Sequence, residues 1–282
     1  MPEKCDNDYK CEGCEHAGNC ESKDKKDSFL IKTNDYSHIK KIYAVMSGKG
    51  GVGKSMVTSL LASHLSKKGY KVAILDADIT GPSIPRSFGI TTKAKGNQFG
   101  IFPELSKTGV EIMSINLLLE NDTDPVVWRG PVISGTVQQF YQEVVWGDVD
   151  FMFVDMPPGT GDVPLTIYQS LPVDGIIVVT SPQELVSMIV NKAVKMANMM
   201  NKEVIGVVEN LSYFHCEDNG KDYKIFGESH LDEVAKANNI TNIAKLPISP
   251  YLANLQDTGN VEDANLSELD PIISFIEESL NK

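Results

Sequence analysis

Gly48-Lys49-Gly50-Gly51-Val52-Gly53-Lys54-Ser55, directly behind the apolar run Ile42-Tyr43-Ala44-Val45-Met46, is the stretch that decides the fold. It matches G-x-x-x-x-G-K-[ST], a loop whose backbone N–H groups wrap around nucleotide phosphates. The apolar run reads as a strand, and Val57, Leu60, Leu61 and Leu65 follow at helical spacing. Strand, glycine loop and helix start are the parts a phosphate site requires. Glycines let the backbone come close, and the helix N-terminus favours an anion. The alternative, a glycine-rich turn with an incidental lysine, leaves that context unexplained. Residues 48–55 are therefore the expected cradle: Lys54 is placed for the β- and γ-phosphates, and the Ser55 hydroxyl for Mg²⁺. Lys49 is an additional lysine that the minimal pattern does not demand.

From the loop outward, buried-type strands alternate with helical patterns. Strands are expected at 42–47, 72–76, 110–114, 151–155, 175–180 and 204–209, with an edge strand near 241–245. Val72-Ala73-Ile74-Leu75, Phe151-Met152-Phe153-Val154 and Ile176-Ile177-Val178-Val179 are continuously apolar, as in parallel strands covered on both faces. Helices are expected at about 54–68, 131–145, 183–200 and 227–238, with Pro131 and Ser181-Pro182 marking two of the starts. This alternation predicts an α/β fold, a doubly wound and mainly parallel sheet with helices on both faces. Ligands of such sheets bind at the carboxyl ends of the strands, where the glycine loop lies.

The 282 residues are enough for one large α/β domain with a sizeable core, or two small ones. Three segments are expected: a cysteine-rich tail at 1–24, a charged linker at 25–39 and a P-loop ATPase domain at 40–282. The tail has almost no large apolar side chains, so a ligand must organise it if it folds. With 38 acids against 26 lysines and arginines, the formal charge of −12 opposes nucleic acid and anionic membranes as partners. The N-terminus has no signal-peptide core, and no apolar stretch reaches the roughly 18 residues needed to span a bilayer. A cytoplasmic location is the expectation, in which cysteines serve metals or catalysis more often than disulfides.

Two acidic segments close apolar strands and so fall on the loop's rim. They are Asp76-Ala77-Asp78-Ile79-Thr80-Gly81-Pro82-Ser83 and Asp155-Met156-Pro157-Pro158-Gly159-Thr160-Gly161-Asp162. An aspartate at a strand end would polarise a Mg²⁺-bound water, which suits Asp155. Asp78, two residues past its strand, could orient or activate the attacking water. Either could instead be a helix-cap or turn aspartate.

The glycine loop and these two segments, in this order, resemble the Mrp/Nbp-type, ApbC-like iron–sulfur cluster carrier ATPases, over about residues 38–280. That family falls in the deviant Walker A class of P-loop NTPases, with MinD, ParA and the nitrogenase iron protein. The resemblance implies a homodimer in which Lys49 crosses to the partner's nucleotide. A lysine there would neutralise charge developing in phosphoryl transfer; a merely solvated lysine is the alternative. Glu209-Asn210-Leu211-Ser212 resembles the family segment whose asparagine contacts adenine. Asn210 has the donor and acceptor for that contact, though asparagine after a strand is also an ordinary turn residue.

Cys5, Cys11, Cys14 and Cys20 give C-x5-C-x2-C-x5-C. Four thiolates suit an iron–sulfur cluster or tetrahedral zinc, and His16 is a possible fifth donor. The closing C-x2-C-x5-C matches the N-terminal cluster motif of Nbp-type members, which implies a 4Fe–4S cluster. The fifth cysteine departs from the family. Where members carry C-P-x-C, this chain reads Cys216-Glu217-Asp218-Asn219, so a homodimer would offer two interface thiolates rather than four. His215, Glu217 or exogenous thiols could complete a bridging site there; otherwise Cys216 is an inert small side chain.

The expected function is an ATP-dependent iron–sulfur cluster carrier or assembly scaffold. Its partners would be apo iron–sulfur proteins and scaffold proteins, with ATP, Mg²⁺ and a 4Fe–4S cluster as cofactors. A MinD- or ParA-like spatial organiser is the alternative, but residues 270–280 carry acids and no base to attract anionic lipid. An ATP-driven electron donor resembling the nitrogenase iron protein would need more interface cysteines than Cys216.

Overall fold

β1 (Ser37–Ser47) changes character half-way along. His38 and Lys40 are exposed, whereas residues 42–47 are buried without a break. Such a run needs cover on both faces and partners on both edges. The partners are β7 (Gly147–Asp155) and β8 (Gly175–Thr180), both parallel to it. The computed structural model describes residues 29–79, 81, 83–119, 130–182 and 186–281. Cys5, Cys11, Cys14, Cys20, His16, Thr80 and Pro82 lie outside them.

The remaining strands are β2 (Val72–Asp76), β3 (Gly96–Asn97), β4 (Gly100–Ile101), β5 (Glu104–Leu105), β6 (Glu111–Met113), β9 (Val204–Cys216), β10 (Lys221–Tyr223) and β11 (Ile243–Pro247). Among the described residues the main sheet runs β10-β9-β8-β1-β7-β2-β6-β5, with β11 paired to β9. Its pairs are parallel except β5 on β6 and β10 on β9. β3 and β4 form a separate short hairpin.

The helices are α1 (Lys54–Lys67), α2 (Ile84–Ser87), α3 (Gly130–Glu143), α4 (Asp162–Ser170), α5 (Val186–Met199), α6 (Leu231–Ala237), α7 (Pro250–Asp257) and α8 (Asp270–Ser279). They divide between two cores, one on each face of the sheet. Tyr43, Val45, Ile74, Phe153 and Ile177 pack against α1, α7 and α8 through Val57, Leu61, Leu252 and Ile272. Ala44, Met46, Leu75, Val154 and Val178 pack against α3, α4, α5 and α6 through Phe140, Ile167, Val190 and Leu231. The expected doubly wound sheet is the observed one.

Where the structure differs from the expected elements, local signals were weak or tertiary pairing extended them. β9 continues to Cys216 because β10 and β11 supply partners that a local pattern does not reveal. The helix expected from residue 227 begins at Leu231, after Gly227 at φ +97°. The periodicity predicts none of the short helices α2, α4, α7 and α8. β1 begins inside the stretch read as linker, and the residues just before it are tied down: Ile31 N donates to Ser170 O at 2.9 Å and Asn34 Nδ2 to Val144 O at 2.8 Å. No helix among the described residues is long and apolar enough to cross a membrane.

Candidate functional site

The loop between β1 and α1 turns tightly enough to need glycine at two kinds of position. Gly53, which caps α1, has φ +84°, and a Cβ there would lie 2.2 Å from Asn210 Nδ2. Gly48 needs its bare Cα for another reason: a Cβ would come within 2.8 Å of Ile189 Cγ1 on α5. The Ser47 hydroxyl donates to Lys49 O at 2.9 Å, and Gly159 N donates to Ser47 O at 2.8 Å. The loop is thus stitched to the turn that follows β7. Lys49 itself is exposed.

Lys54 opens α1 and is only 6 % exposed. Its Nζ lies 2.7 Å from Asp155 Oδ2 and 3.6 Å from Asp78 Oδ2. Burial works against its charge, but Asp155, Asp78 and Asp76 outweigh that and hold the ammonium above the usual lysine range. Asp155 is fully buried and takes three bonds from α1, that of Lys54 included. Ser55 Oγ donates to Oδ2 at 2.6 Å, Lys54 Nζ to the same oxygen, and Thr58 Oγ1 to Oδ1 at 2.8 Å. A carboxylate so saturated is held in one orientation. Thr58 went unnoticed in the sequence; its only signal is its place one helical turn beyond Lys54.

The sequence assigns Asp76 no role of its own, and the structure stands it directly beside Asp155 in the parallel register of β2 and β7. Ser114 Oγ donates to its Oδ2 at 2.9 Å, and Asp78 N to its Oδ1 at 3.2 Å. Burial, followed by the charge of Asp155, pushes the Asp76 carboxyl up to about 8. Between the ordinary aspartate range and pH 8, Asp76 is then protonated in the folded chain and ionised in the unfolded one. Stability from this group therefore falls as pH rises across that window. Asp76→Asn should flatten the decline, so the variant gains on the wild type from about pH 4 to pH 8 in urea titrations. A parallel pH dependence in both proteins would remove this assignment.

At the other side of the loop, Asn210 Nδ2 donates to Val52 O at 2.9 Å and the residue is 2 % exposed. Asn210 lies inside β9 rather than in a turn after it. Cys216 ends the same strand, partly exposed and unpaired. His215 does not join it. Neighbouring residues on a strand point to opposite faces, and His215 Nδ1 faces Asp222 Oδ1 at 2.6 Å across the hairpin. Among the described residues no three His, Cys, Asp or Glu side chains form a metal-sized group.

A glycine loop between strand and helix, on the carboxyl rim of a mainly parallel sheet, defines a P-loop NTPase. The fold is similar to that of MinD from Aquifex aeolicus, with TM-score 0.56 and 17 % identity over 86 % of this chain and 97 % of that one. Residues 38–280 match the family model described as ParA, NUBPL iron-transfer P-loop NTPase, and the chain belongs to that family. It is 42 % identical to an iron–sulfur cluster carrier protein of Clostridium perfringens, over 98 % of each chain. A nucleotide-binding protein from Archaeoglobus fulgidus, solved in complex with ADP, is also 42 % identical, with TM-score 0.75 over 82 % of this chain and 91 % of that one.

Proposed function

We propose that this chain is an ATP-dependent iron–sulfur cluster carrier, acting as a homodimer and passing clusters to apo iron–sulfur proteins. The observation that carries this reading is Lys54, buried between Asp155 and Asp78 beneath the glycine loop, in a chain 42 % identical end to end to a named cluster carrier. Residues 48–55 would hold the phosphates, with Lys54 on the β- and γ-oxygens. Ser55 Oγ and Asp155 Oδ2, hard oxygen donors 2.6 Å apart, are the residues that would hold Mg²⁺, Asp155 through a water. When bound, that ion supplies charge neutralisation at the phosphates.

In hydrolysis, Asp78 orients the attacking water. The water oxygen bonds to the γ-phosphorus as the β–γ bridging bond breaks, leaving ADP and phosphate, with the proton carried by phosphate. Lys49 from the partner protomer neutralises charge as it develops, and Asn210 meets the adenine. Binding of ATP shifts the dimer between states that hold and release cluster, which requires different affinities for the two.

Cys5, Cys11, Cys14 and Cys20 are the proposed ligands of a 4Fe–4S cluster in the tail, with zinc as the competing occupant. Cys216 is the proposed contact for cluster at the dimer interface. The spatial-organiser alternative is disfavoured by α8, whose apolar residues Ile272, Ile273 and Ile276 are buried in the core and have no face left for lipid.

Anaerobic reconstitution followed by iron and sulfide counting per dimer tests the reading; a colourless protein that takes up only zinc would sink it. In the same assay Cys14→Ser should lose about one cluster of iron per chain and hold ATP hydrolysis within about twofold, since Cys14 is none of the groups proposed to act on the phosphates. Unchanged iron in that variant removes the tail assignment.

A further inference from the structure

β9 is one strand by its hydrogen bonds, yet its backbone does not stay extended. Leu211 has φ +59°, a left-handed conformation that costs free energy for any side chain with a Cβ and that asparagine or glycine adopts more readily. The pairing with β11 gives the reason. Lys245 faces Glu209 and Pro247 faces Tyr213, so residues 210–212 of β9 together stand opposite Leu246. This is a bulge, of the kind that re-aims side chains beside functional sites.

The bulge is held from three directions. Asn210 Nδ2 donates to Val52 O of the phosphate loop at 2.9 Å. Ser212 Oγ donates to Glu209 Oε1 at 2.7 Å, and Ile248 N to Tyr213 O at 2.6 Å. Two buried oxygens at the same place, Asn210 Oδ1 and Glu209 Oε2, have no hydrogen-bond partner. Strained backbone and unpaired buried oxygens persist together where the surroundings over-determine a geometry that function uses. Beyond the bulge the same strand carries Tyr213, Phe214 and Cys216 into the hairpin with β10.

We infer that Leu211 is a positioning residue that couples the nucleotide loop to the β9–β10 hairpin. Its left-handed bulge keeps the Asn210 amide on the Val52 carbonyl, leaves Oδ1 to accept from a bound base, and sets the direction in which β9 presents Cys216. Residue 211 has discrete left-handed and extended wells, so the bulge is a two-state element that both ends can bias. A base that engages Asn210 stabilises the left-handed well, and the hairpin follows. The inference deepens the nucleotide reading above and rests on it.

The test uses the full chain, reduced and free of cluster under anaerobic conditions. Labelling of Cys216 by N-ethylmaleimide is followed by peptide mass spectrometry, with and without saturating Mg-ATP, in wild type, Leu211→Gly and Leu211→Asn. Glycine populates both wells, whereas asparagine tolerates the left-handed one. ATP is expected to change the Cys216 rate by about fivefold or more in wild type and Leu211→Asn, and by less than about twofold in Leu211→Gly. Calorimetry on each variant sets the ATP concentration that saturates it, so that the labelling rates compare fully bound proteins. An equal ATP effect in wild type and Leu211→Gly overturns the inference, as does a wild type that binds ATP without any response at Cys216. Should Leu211→Gly fail to fold, loss of the response in Leu211→Asn overturns it and retention supports it. A wild type that binds no ATP instead overturns the nucleotide reading alone.

Discussion

Lys54→Ala is expected to lower ATP affinity by about a hundredfold or more and to destabilise the fold by about 3 kcal/mol. Both effects come from one atom. The ammonium is buried against Asp155 at 2.7 Å and stands 3.6 Å from Asp78, with Asp76 next in line. Removing one partner of a buried ion pair leaves the other uncompensated, and that penalty exceeds the worth of the pair itself. Asp155 keeps its bonds from Ser55 and Thr58, which places the cost at the low end of the usual range. Titration calorimetry and urea unfolding measure the two effects separately. Unchanged affinity would take Lys54 out of the phosphate site; unchanged stability would mean the carboxylates do not depend on it.

Lys49→Ala should leave nucleotide affinity within about threefold and reduce turnover roughly a thousandfold, the scale of a charge supplied in trans to phosphoryl transfer. Lys49 is exposed on the loop, while Lys54 occupies the buried network below it. The two lysines of one loop are thus predicted to separate cleanly, one setting binding and the other chemistry. Steady-state turnover compared with calorimetric affinity reads the split. Mixing Lys49→Ala with Asp78→Ala chains sharpens it, since a mixed dimer restores one intact site only if Lys49 acts across the interface. Equal losses of binding and turnover in Lys49→Ala would sink the trans role.

The glycine loop was legible because each residue in it answers a local demand: positive φ at Gly53, close approach at Gly48, a donor at Lys54. Asp155 was legible because it closes an apolar strand. Asp76 closes one as well, and its partnership with Asp155 was not legible, since it depends on β2 lying beside β7 in parallel register. Thr58 reads locally as one more polar helix position. Its bond to Asp155 appears only once α1 is docked on the sheet. Leu211 is the sharper case. Leucine has no preference for the left-handed region, so the bulge is imposed by β11 and the phosphate loop against local propensity.

By itself, then, the sequence determined the alternation of strands and helices, the phosphate loop and the rim on which it lies. Those properties follow from periodicity and from residues adjacent in the chain. The tertiary structure alone decided which carboxylates share Lys54, that His215 turns away from Cys216, and that Asn210 belongs to the strand carrying Cys216. These are matters of strand order, register and a bulge, and they bring together side chains whose separation along the chain carries no signal of their contact.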